Sequence, residues 1–178
     1  MTAPEAVAFA EGGSVQLADF NAASADEASA LVRAWADIPS WVAAVVDARP
    51  YADLASLRST TASYADAWTP EEVTAALADH PRIGERSTGT GASAAMSRSE
   101  QAGVPEDDDV KARLAEGNRR YEETFGRIYL VRAKGRTAEE MLVLLEERLR
   151  NDPETELLVT MGQLKEIAML RLDDSVTP

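Results

Sequence analysis

The chain has 178 residues, with 18 lysines and arginines against 31 aspartates and glutamates, so its formal net charge is −13. A surface this acidic repels nucleic-acid phosphates and anionic lipids, so binding to nucleic acid or to a membrane surface is not expected. The sequence has no cysteine, which excludes disulfides, thiolate metal sites and cysteine nucleophiles.

The sequence also lacks the signals of export or membrane insertion. No stretch approaches the roughly 20 apolar residues that a membrane-spanning helix needs. The first residues, MTAPEAVAFAEGG, have neither the positive charge nor the apolar run of a signal peptide. We therefore expect a cytoplasmic protein. Its length predicts a single domain over 1–178, with short flexible tails at 1–14 and 173–178.

Helix signals dominate the first half of the chain. The predicted helices are one capped by Ser24 or Asp26 and running through Ala36, one over 41–46, one over 52–68 and one from Pro70 to about Asp79. The last has the clearest start, TPEE, with an N-cap threonine, a proline at the first position and a glutamate at the third. It is predicted to stop at His80, because Pro81 disfavours the α conformation for the residue before it.

A low-complexity segment follows at 84–97, GERSTGTGASAAMS, and predicts a mobile surface loop. The acidic residues 107–109 can then cap a helix that runs to about Phe125. The sequence IYLVRA at 128–133 is the best extended segment in the chain.

The last part of the chain returns to helix signals. Thr137 with Glu140 forms a second capping box, and the helix it opens is predicted through Arg150. The residues Asp-Pro-Glu at 152–154 open the final helix, which is predicted to about Leu172. The predicted fold is therefore all-α, a single-domain bundle of about seven to eight helices with that one short extended segment near 128–133.

One arginine interrupts the apolar pattern of the final helix. At 100° per residue, Leu157, Met161, Leu164 and Ala168 form an apolar stripe, and Arg171 falls beside it. Arg171 could extend its stem along the core and place its charged head in water. Alternatively, its forked donors could hold an anion in an internal cleft, where they suit a carboxylate or an imide-like ring.

His80 is the only histidine in the chain. At the end of a helix it could simply be a favourable cation for the helix dipole. It could also serve in general acid–base catalysis, since the ordinary pKa of an imidazole is about 6.5. The spacing signals no metal site, and there is no G-x-S-x-G nucleophile elbow. Glu100, where the low-complexity segment meets new sequence, is either a solvated glutamate or a partner of the histidine.

Several short motifs occur in order along the chain: W-V-x6-R-P at 41–50, HPRIGE at 80–85, S-x-x-E-Q-A-G at 97–103, N-x-x-Y-x-x-x-F-G at 118–126, G-R-T-A-E-E at 135–140 and I-x-x-L-R-L at 167–172. This ordered set resembles the 2-oxo-4-hydroxy-4-carboxy-5-ureidoimidazoline (OHCU) decarboxylase family of purine degradation. The resemblance covers roughly residues 15–172. Each motif alone is common, and the specificity comes from their order.

The resemblance implies an all-helical, commonly dimeric enzyme that decarboxylates OHCU to (S)-allantoin in urate degradation, with no metal and no organic cofactor. It implies that His80 is the catalytic acid and that Glu100 and Arg171 complete the active centre. It also implies that the following residues bind substrate: Pro81, Ser97, Arg98, Ser99, Gln101, Tyr129, Leu130, Val131, Arg132 and Ala133. The expected partners are the small-molecule substrate and a second copy of the chain.

The sequence departs from the family pattern at two places. Many members read H-P-D-L-A-G where this chain reads HPRIGE, a form that a bacterial branch of the family shares. FGRIYLVRA at 125–133 also replaces a more apolar pattern, so Arg127 and Arg132 are expected near the site.

Two other functions stay open at this point. A non-enzymatic helical module with an acidic face could bind a basic partner protein; it predicts that His80, Glu100 and Arg171 lie apart and exposed. Another acid–base enzyme acting on a small ureide would bring the three residues together but would not release CO₂ from OHCU.

Overall fold

The computed structural model describes residues 13–78, 80–85, 89–102 and 107–178. Within these ranges the elements are β1 (Val15–Gln16), α1 (Leu17–Ala22), α2 (Ala25–Trp35), α3 (Pro39–Asp47), α4 (Leu54–Ala65), α5 (Pro70–Leu77), α6 (Ala92–Glu100), α7 (Asp108–Phe125), α8 (Ala138–Arg148), α9 (Pro153–Ser175) and β2 (Val176–Thr177). The all-α prediction is confirmed. No helix in these ranges is long and apolar enough to cross a membrane.

Local capping explains why most helices begin where the sequence predicts. The side chains of Ser24, Thr69 and Thr137 each accept a hydrogen bond from the backbone N–H three residues later. The side chain of the glutamate at that later position accepts a hydrogen bond from the backbone N–H of the capping residue. Ser24, rather than Asp26, is therefore the cap of α2. Gly126 ends α7 in the left-handed conformation, with φ of 68°, which glycine adopts without a steric penalty.

Two helices were not predicted. One is α1, which is six residues long and too short to show a helical period. The other is α6, which begins at Ala92 inside the segment 84–97 that was predicted to be a loop. The glycines of that segment end before Ala92, and the alanines and methionine after it favour a helix. Residues 86–88 of the same segment lie outside the described ranges.

At the C-terminal end the structure differs from the flexible tail that was predicted over 173–178. Residues 1–12 lie outside the described ranges. At the other end, α9 continues to Ser175, and Val176 then pairs in parallel with Val15. Val176 is 2% exposed because it packs in the first hydrophobic cluster, so most of 173–178 is part of the folded structure and not a flexible tail.

Two hydrophobic clusters form the interior. The first gathers side chains from α1 to α5 with the second half of α9, and the second lies between α7 and α8. No helix or strand covers residues 128–133, the predicted extended segment, which runs between the clusters. Tyr129, Val131 and Ala133 pack in the second cluster, whereas Leu130 packs in the first. This alternation is what an extended backbone produces.

The buried face of α9 is rotated from the stripe that was predicted. Leu157 and Met161 are half-buried, whereas the polar residues Glu156 and Thr160 are fully buried. Arg171 lies within this face at 2% exposure, so the prediction of a snorkelling side chain was wrong. The helical period of the sequence alone could not show which face of α9 is buried, because each buried polar group has a partner on another element.

Glu156 can be buried because it forms an ion pair with Arg148 at the end of α8. Arg148 Nε donates to Glu156 Oε1 over 2.7 Å, and Arg148 Nη1 donates to the carbonyl of Leu130 over 2.6 Å. The Tyr121 hydroxyl also donates to Glu156. Burial raises the pKa of Tyr121, and the hydrogen bond to Glu156 raises it further. This network joins α7, α8, α9 and the extended segment.

The contact between α7 and α8 allows a stability test. A β-carbon on Gly117 would clash with Cδ2 of Leu145 and lie 3.2 Å from its Cγ, and Leu145 is fully buried. Overpacking of this kind costs about 1–3 kcal/mol, and alanine returns about 1 kcal/mol of helix propensity. The balance is about 0–2 kcal/mol, and we expect Gly117→Ala to lower the free energy of unfolding by about 1 kcal/mol in denaturant titrations.

The matched control is Gly162→Ala in α9. No atom lies within 4 Å of a β-carbon there, so the propensity gain is unopposed. The control should be neutral or stabilising. Equal effects of the two substitutions would contradict the packing that the structure shows at Gly117.

Candidate active site

His80 lies three residues beyond Leu77, the last residue of α5, at a bend in the backbone. Its backbone N–H donates to the carbonyl of Leu77 over 3.1 Å, and its ring Nδ1 lies 3.0 Å from the carbonyl oxygen of Ala76. A carbonyl only accepts, so Nδ1 carries the hydrogen in this contact. The imidazole is thus tied to the last turn of α5 and is half-buried.

Arg171 and Glu100 form a bidentate ion pair. Arg171 Nε donates to Glu100 Oε1 over 2.6 Å, and Arg171 Nη2 donates to Glu100 Oε2 over 3.0 Å. The arginine side chain is 2% exposed and the glutamate side chain 20% exposed. Two parallel charge-assisted bonds fix both side chains in one geometry. The anion that Arg171 holds in this structure is therefore the carboxylate of Glu100.

The remaining donors of Arg171 bind α2 and α6. Its Nη1 donates to the carbonyl of Ala34 over 3.0 Å and to Ser93 Oγ over 3.4 Å, while Nη2 donates to Ser97 Oγ over 3.0 Å. Ser93, Ser97 and Glu100 are spaced along one face of α6. One arginine from α9 therefore holds the whole polar face of this short helix.

A cavity of about 620 Å³ brings His80 and Arg171 together. Its described walls come from α2, the end of α5, the start of α6, and Pro81 and Glu85 on the segment after the histidine. The volume is in the range of sites that enclose a small molecule. His80 and Arg171, 91 positions apart in the chain, thus line one concave site.

A smaller cavity of about 210 Å³ lies on the other side of the ion pair. Ser99 and Glu100 line it together with Lys134 and Asp174, which are paired with each other at 2.6 Å. Arg171 lines both cavities and is the residue that they share.

The structure disperses the other residues that were predicted to bind substrate. Pro81 lines the large cavity, and Ser97 is buried with its hydroxyl bonded to Arg171. Arg98 is exposed and donates to the carbonyl of Gly89. Gln101 Oε1 accepts from the backbone N–H of Gly84 over 3.1 Å, so it contacts the segment that follows the histidine.

Residues 129–133 contact α8 and α9. Tyr129 donates to the carbonyl of Met141, and burial raises its pKa. The backbone N–H of Arg132 donates to Gln163 Oε1 over 3.0 Å. Leu130, Val131 and Ala133 are buried. This segment is tethered from both sides, and it stays a prediction that its backbone contacts substrate.

The two arginines that depart from the family pattern have partners of their own. Arg132 forms an ion pair with Glu166 at 3.3 Å, and the Arg127 guanidinium lies 5.9 Å from the centre of the Phe125 ring. In the ranges that the structure describes, no group of three or more histidine, aspartate or glutamate side chains could hold a metal ion.

Sequence reasoning missed several contributors to the site. Ala76 supplies the carbonyl that binds His80, and Ser93 supplies a hydroxyl to Arg171; neither residue type signals such a role. Asn118 and Glu122 of α7 contact the segment after His80, at 3.1 and 2.9 Å. Asn118 opens the N-x-x-Y motif, so its position was noticed while its contact was not.

Comparison with known proteins gives consistent matches. A protein-family model described as OHCU decarboxylase matches residues 21–173. A 2-oxo-4-hydroxy-4-carboxy-5-ureidoimidazoline decarboxylase from Amia calva is 33% identical over 141 residues, which cover 78% of this chain and 81% of that protein. The protein of the same name from Mus musculus is 32% identical over 139 residues, covering 76% and 78%.

A solved structure is similar in fold. It is described as a crystal structure of OHCU decarboxylase in the presence of (S)-allantoin, and it matches with a TM-score of 0.66 at 23% identity. The match covers 79% of this chain and 92% of that one. At this identity the likeness concerns the fold alone.

Proposed function

The chain belongs to the OHCU decarboxylase family, and on that premise we propose that it is a carboxy-lyase that converts OHCU to (S)-allantoin in urate degradation. The observation that supports a role for named residues is the cavity that His80 and Arg171 line together. A non-enzymatic module would leave these residues apart and exposed, whereas Arg171 is buried and bonded to Glu100.

The reaction needs three things from the protein. The bond between ring carbon 4 and the carboxylate breaks, CO₂ leaves, and the electron pair moves into the adjacent C5=N imine, which leaves an enol at carbon 4. Protonation of carbon 5 and loss of the enol proton then give the carbonyl and the stereocentre of allantoin. The site must hold the leaving carboxylate, stabilise the negative charge that develops on the ring and deliver one proton to one face of carbon 5. None of these steps requires a metal or an organic cofactor, and we propose that none is used.

His80 is assigned the proton delivery. Its Nδ1–H is directed at the carbonyl of Ala76. Nε2 is therefore the nitrogen that is protonated in the charged ring and unprotonated in the neutral one. An imidazolium fixed by a backbone carbonyl transfers that proton from one direction only. This directionality accounts for a single enantiomer of the product.

Glu100 and Arg171 are assigned to substrate positioning. Of the two cavities Glu100 lines the smaller, so it is assigned to substrate positioning through Arg171, whose guanidinium it fixes by two hydrogen bonds. The guanidinium holds the carboxylate in one orientation. Pro81, Ser97, Arg98, Ser99, Gln101 and residues 129–133 complete the substrate-binding residues that we propose. A homodimeric, cytoplasmic enzyme is also part of the proposal.

The test is a stereochemical assay on OHCU generated freshly from urate. We expect the purified protein to accelerate CO₂ release and to give (S)-allantoin, seen by circular dichroism, while the solution without protein decays slowly to racemic allantoin. An enzyme that hydrolyses or isomerises a ureide would consume OHCU without releasing CO₂. Racemic product at the uncatalysed rate would refute the proposal.

A further inference from the structure

The residues that follow His80 are held against α7 and Gln101. Together with His80 they form the HPRIGE loop, residues 80–85, which follows α5 and passes along α7. Pro81 fixes its own φ near −65°, so little rotational freedom separates the histidine from Arg82. A displacement of the loop at residues 82 and 83 is therefore transmitted to the imidazole.

The first contact is an ion pair between Arg82 and Glu122. Arg82 Nε and Nη2 donate to the two carboxylate oxygens of Glu122 over 2.5 and 2.9 Å. The hydrogen bond from Arg82 lowers the pKa of the Glu122 carboxyl, which keeps the pair charged in mildly acidic solution. Two parallel bonds define the position of the arginine stem as well as its head.

The second contact lies one turn earlier on α7. Asn118 Nδ2 donates to the carbonyl of Ile83 over 3.1 Å, and Asn118 is 3% exposed. Ile83 itself is 6% exposed and packs in the second hydrophobic cluster. Asn118 and Glu122 are four residues apart, so they present their side chains on one face of the helix. Together they hold two consecutive residues of the loop.

Gln101 closes the arrangement from the opposite side. Its Oε1 accepts from the backbone N–H of Gly84, and its Nε2 lies 3.4 Å from the carbonyl of Arg82. The loop is thus held through residues 82, 83 and 84. Gln101 directly follows Glu100, so the same contact connects the histidine side of the cavity to the ion pair of Arg171.

We propose that Asn118 and Glu122 are positioning residues for His80: they act through the HPRIGE loop and set where the imidazole stands in the cavity. The inference rests on the proposed function of His80 as proton donor. Neither residue needs to touch the substrate. A misplacement of about 1 Å in a reacting group can cost about 100-fold in rate, so partial loosening has a measurable effect.

The experiment compares Glu122→Gln with Glu123→Gln. Glutamine keeps the size of Glu122 and removes the charge that binds Arg82. Glu123 is the next residue, is 61% exposed and pairs with Arg119 on the same helix, so its substitution is a matched control. We expect Glu122→Gln to lower kcat about tenfold with KM within a factor of about two, and Glu123→Gln to leave both unchanged.

A second measurement needs no turnover. His80 is the only histidine, so its imidazole C–H signals are unique in the proton NMR spectrum of protein without a polyhistidine tag. Glu122→Gln should move these signals and change their titration, whereas Glu123→Gln should not. Asn118→Asp, which replaces the donor facing Ile83 by an acceptor, should act as Glu122→Gln does.

The outcomes separate the two proposals. Restoration of kcat and of the NMR signals by the paired exchange Arg82→Glu with Glu122→Arg would support positioning, provided that thermal unfolding of Glu122→Gln matches that of the unmodified protein. If Glu122→Gln and Glu123→Gln have the same NMR spectrum and kinetics, positioning is wrong. If the NMR signals respond while the unmodified protein fails to decarboxylate OHCU, the loop contact stands and the proposed function falls.

Discussion

His80→Asn is expected to lower kcat for OHCU decarboxylation by about 10²–10⁴-fold, the range for loss of a general acid. Asparagine can place an N–H where Nδ1 now faces the carbonyl of Ala76, so the tether and the fold are preserved. It has no proton that titrates near neutral pH. The variant therefore removes proton delivery and little else.

The pH dependence gives a second readout of the same residue. If the imidazolium is the acid, kcat of the unmodified protein falls as pH rises through the pKa of His80. The residual activity of His80→Asn should lack that alkaline fall. Thermal unfolding and far-ultraviolet circular dichroism check that the variant is folded. Near-normal turnover by folded His80→Asn would remove His80 from the mechanism.

Glu100→Ala is expected to reduce both stability and activity. Removing one member of a buried ion pair costs about 3–5 kcal/mol, and the lower end applies here because Glu100 is one-fifth exposed. We expect the free energy of unfolding to fall by about 3 kcal/mol, measured in denaturant. With Arg171 no longer fixed, kcat/KM should fall by about 100-fold, on the scale of a misplaced reacting group.

Two controls separate the two effects. Asp173→Asn, on the same helix as Arg171, breaks an exposed pair with Arg58, and such pairs contribute only about 0–1 kcal/mol. It should leave the activity unchanged and lower the free energy of unfolding by no more than about 1 kcal/mol. Gly117→Ala lowers stability away from the cavity and should keep its activity while folded. Glu100→Ala with unimpaired kcat/KM would mean that the ion pair serves the fold alone.

The elements that could be predicted are those with local signals. A capping threonine such as Thr69 interacts with residues three positions away, so its pattern is visible in the sequence. In contrast, the polar face of α6 is satisfied by Arg171, more than 70 positions later. A helix of small residues held by a distant arginine has no local signature, and 84–97 was accordingly predicted as a loop.

The same distinction applies to the site. His80 stood out because it is alone, and Arg171 because it interrupts an apolar stripe. Their common cavity depends on how α2, α5 and α9 pack, which no spacing reveals. The burial of Glu156 was missed for a related reason, since its partner Arg148 lies on another helix.

The pairing of Val15 with Val176 has a consequence for how this protein folds. The contact joins residues 161 positions apart, and the entropy of closing a loop grows with its length. The contacts of α2 with α3 and of α7 with α8 join helices that are consecutive in the chain, and local contacts of that kind form early. The ends should therefore meet late. Because Arg171 lies five residues before Val176, the proposed site should be completed in the same closing step of folding as the joining of the two strands.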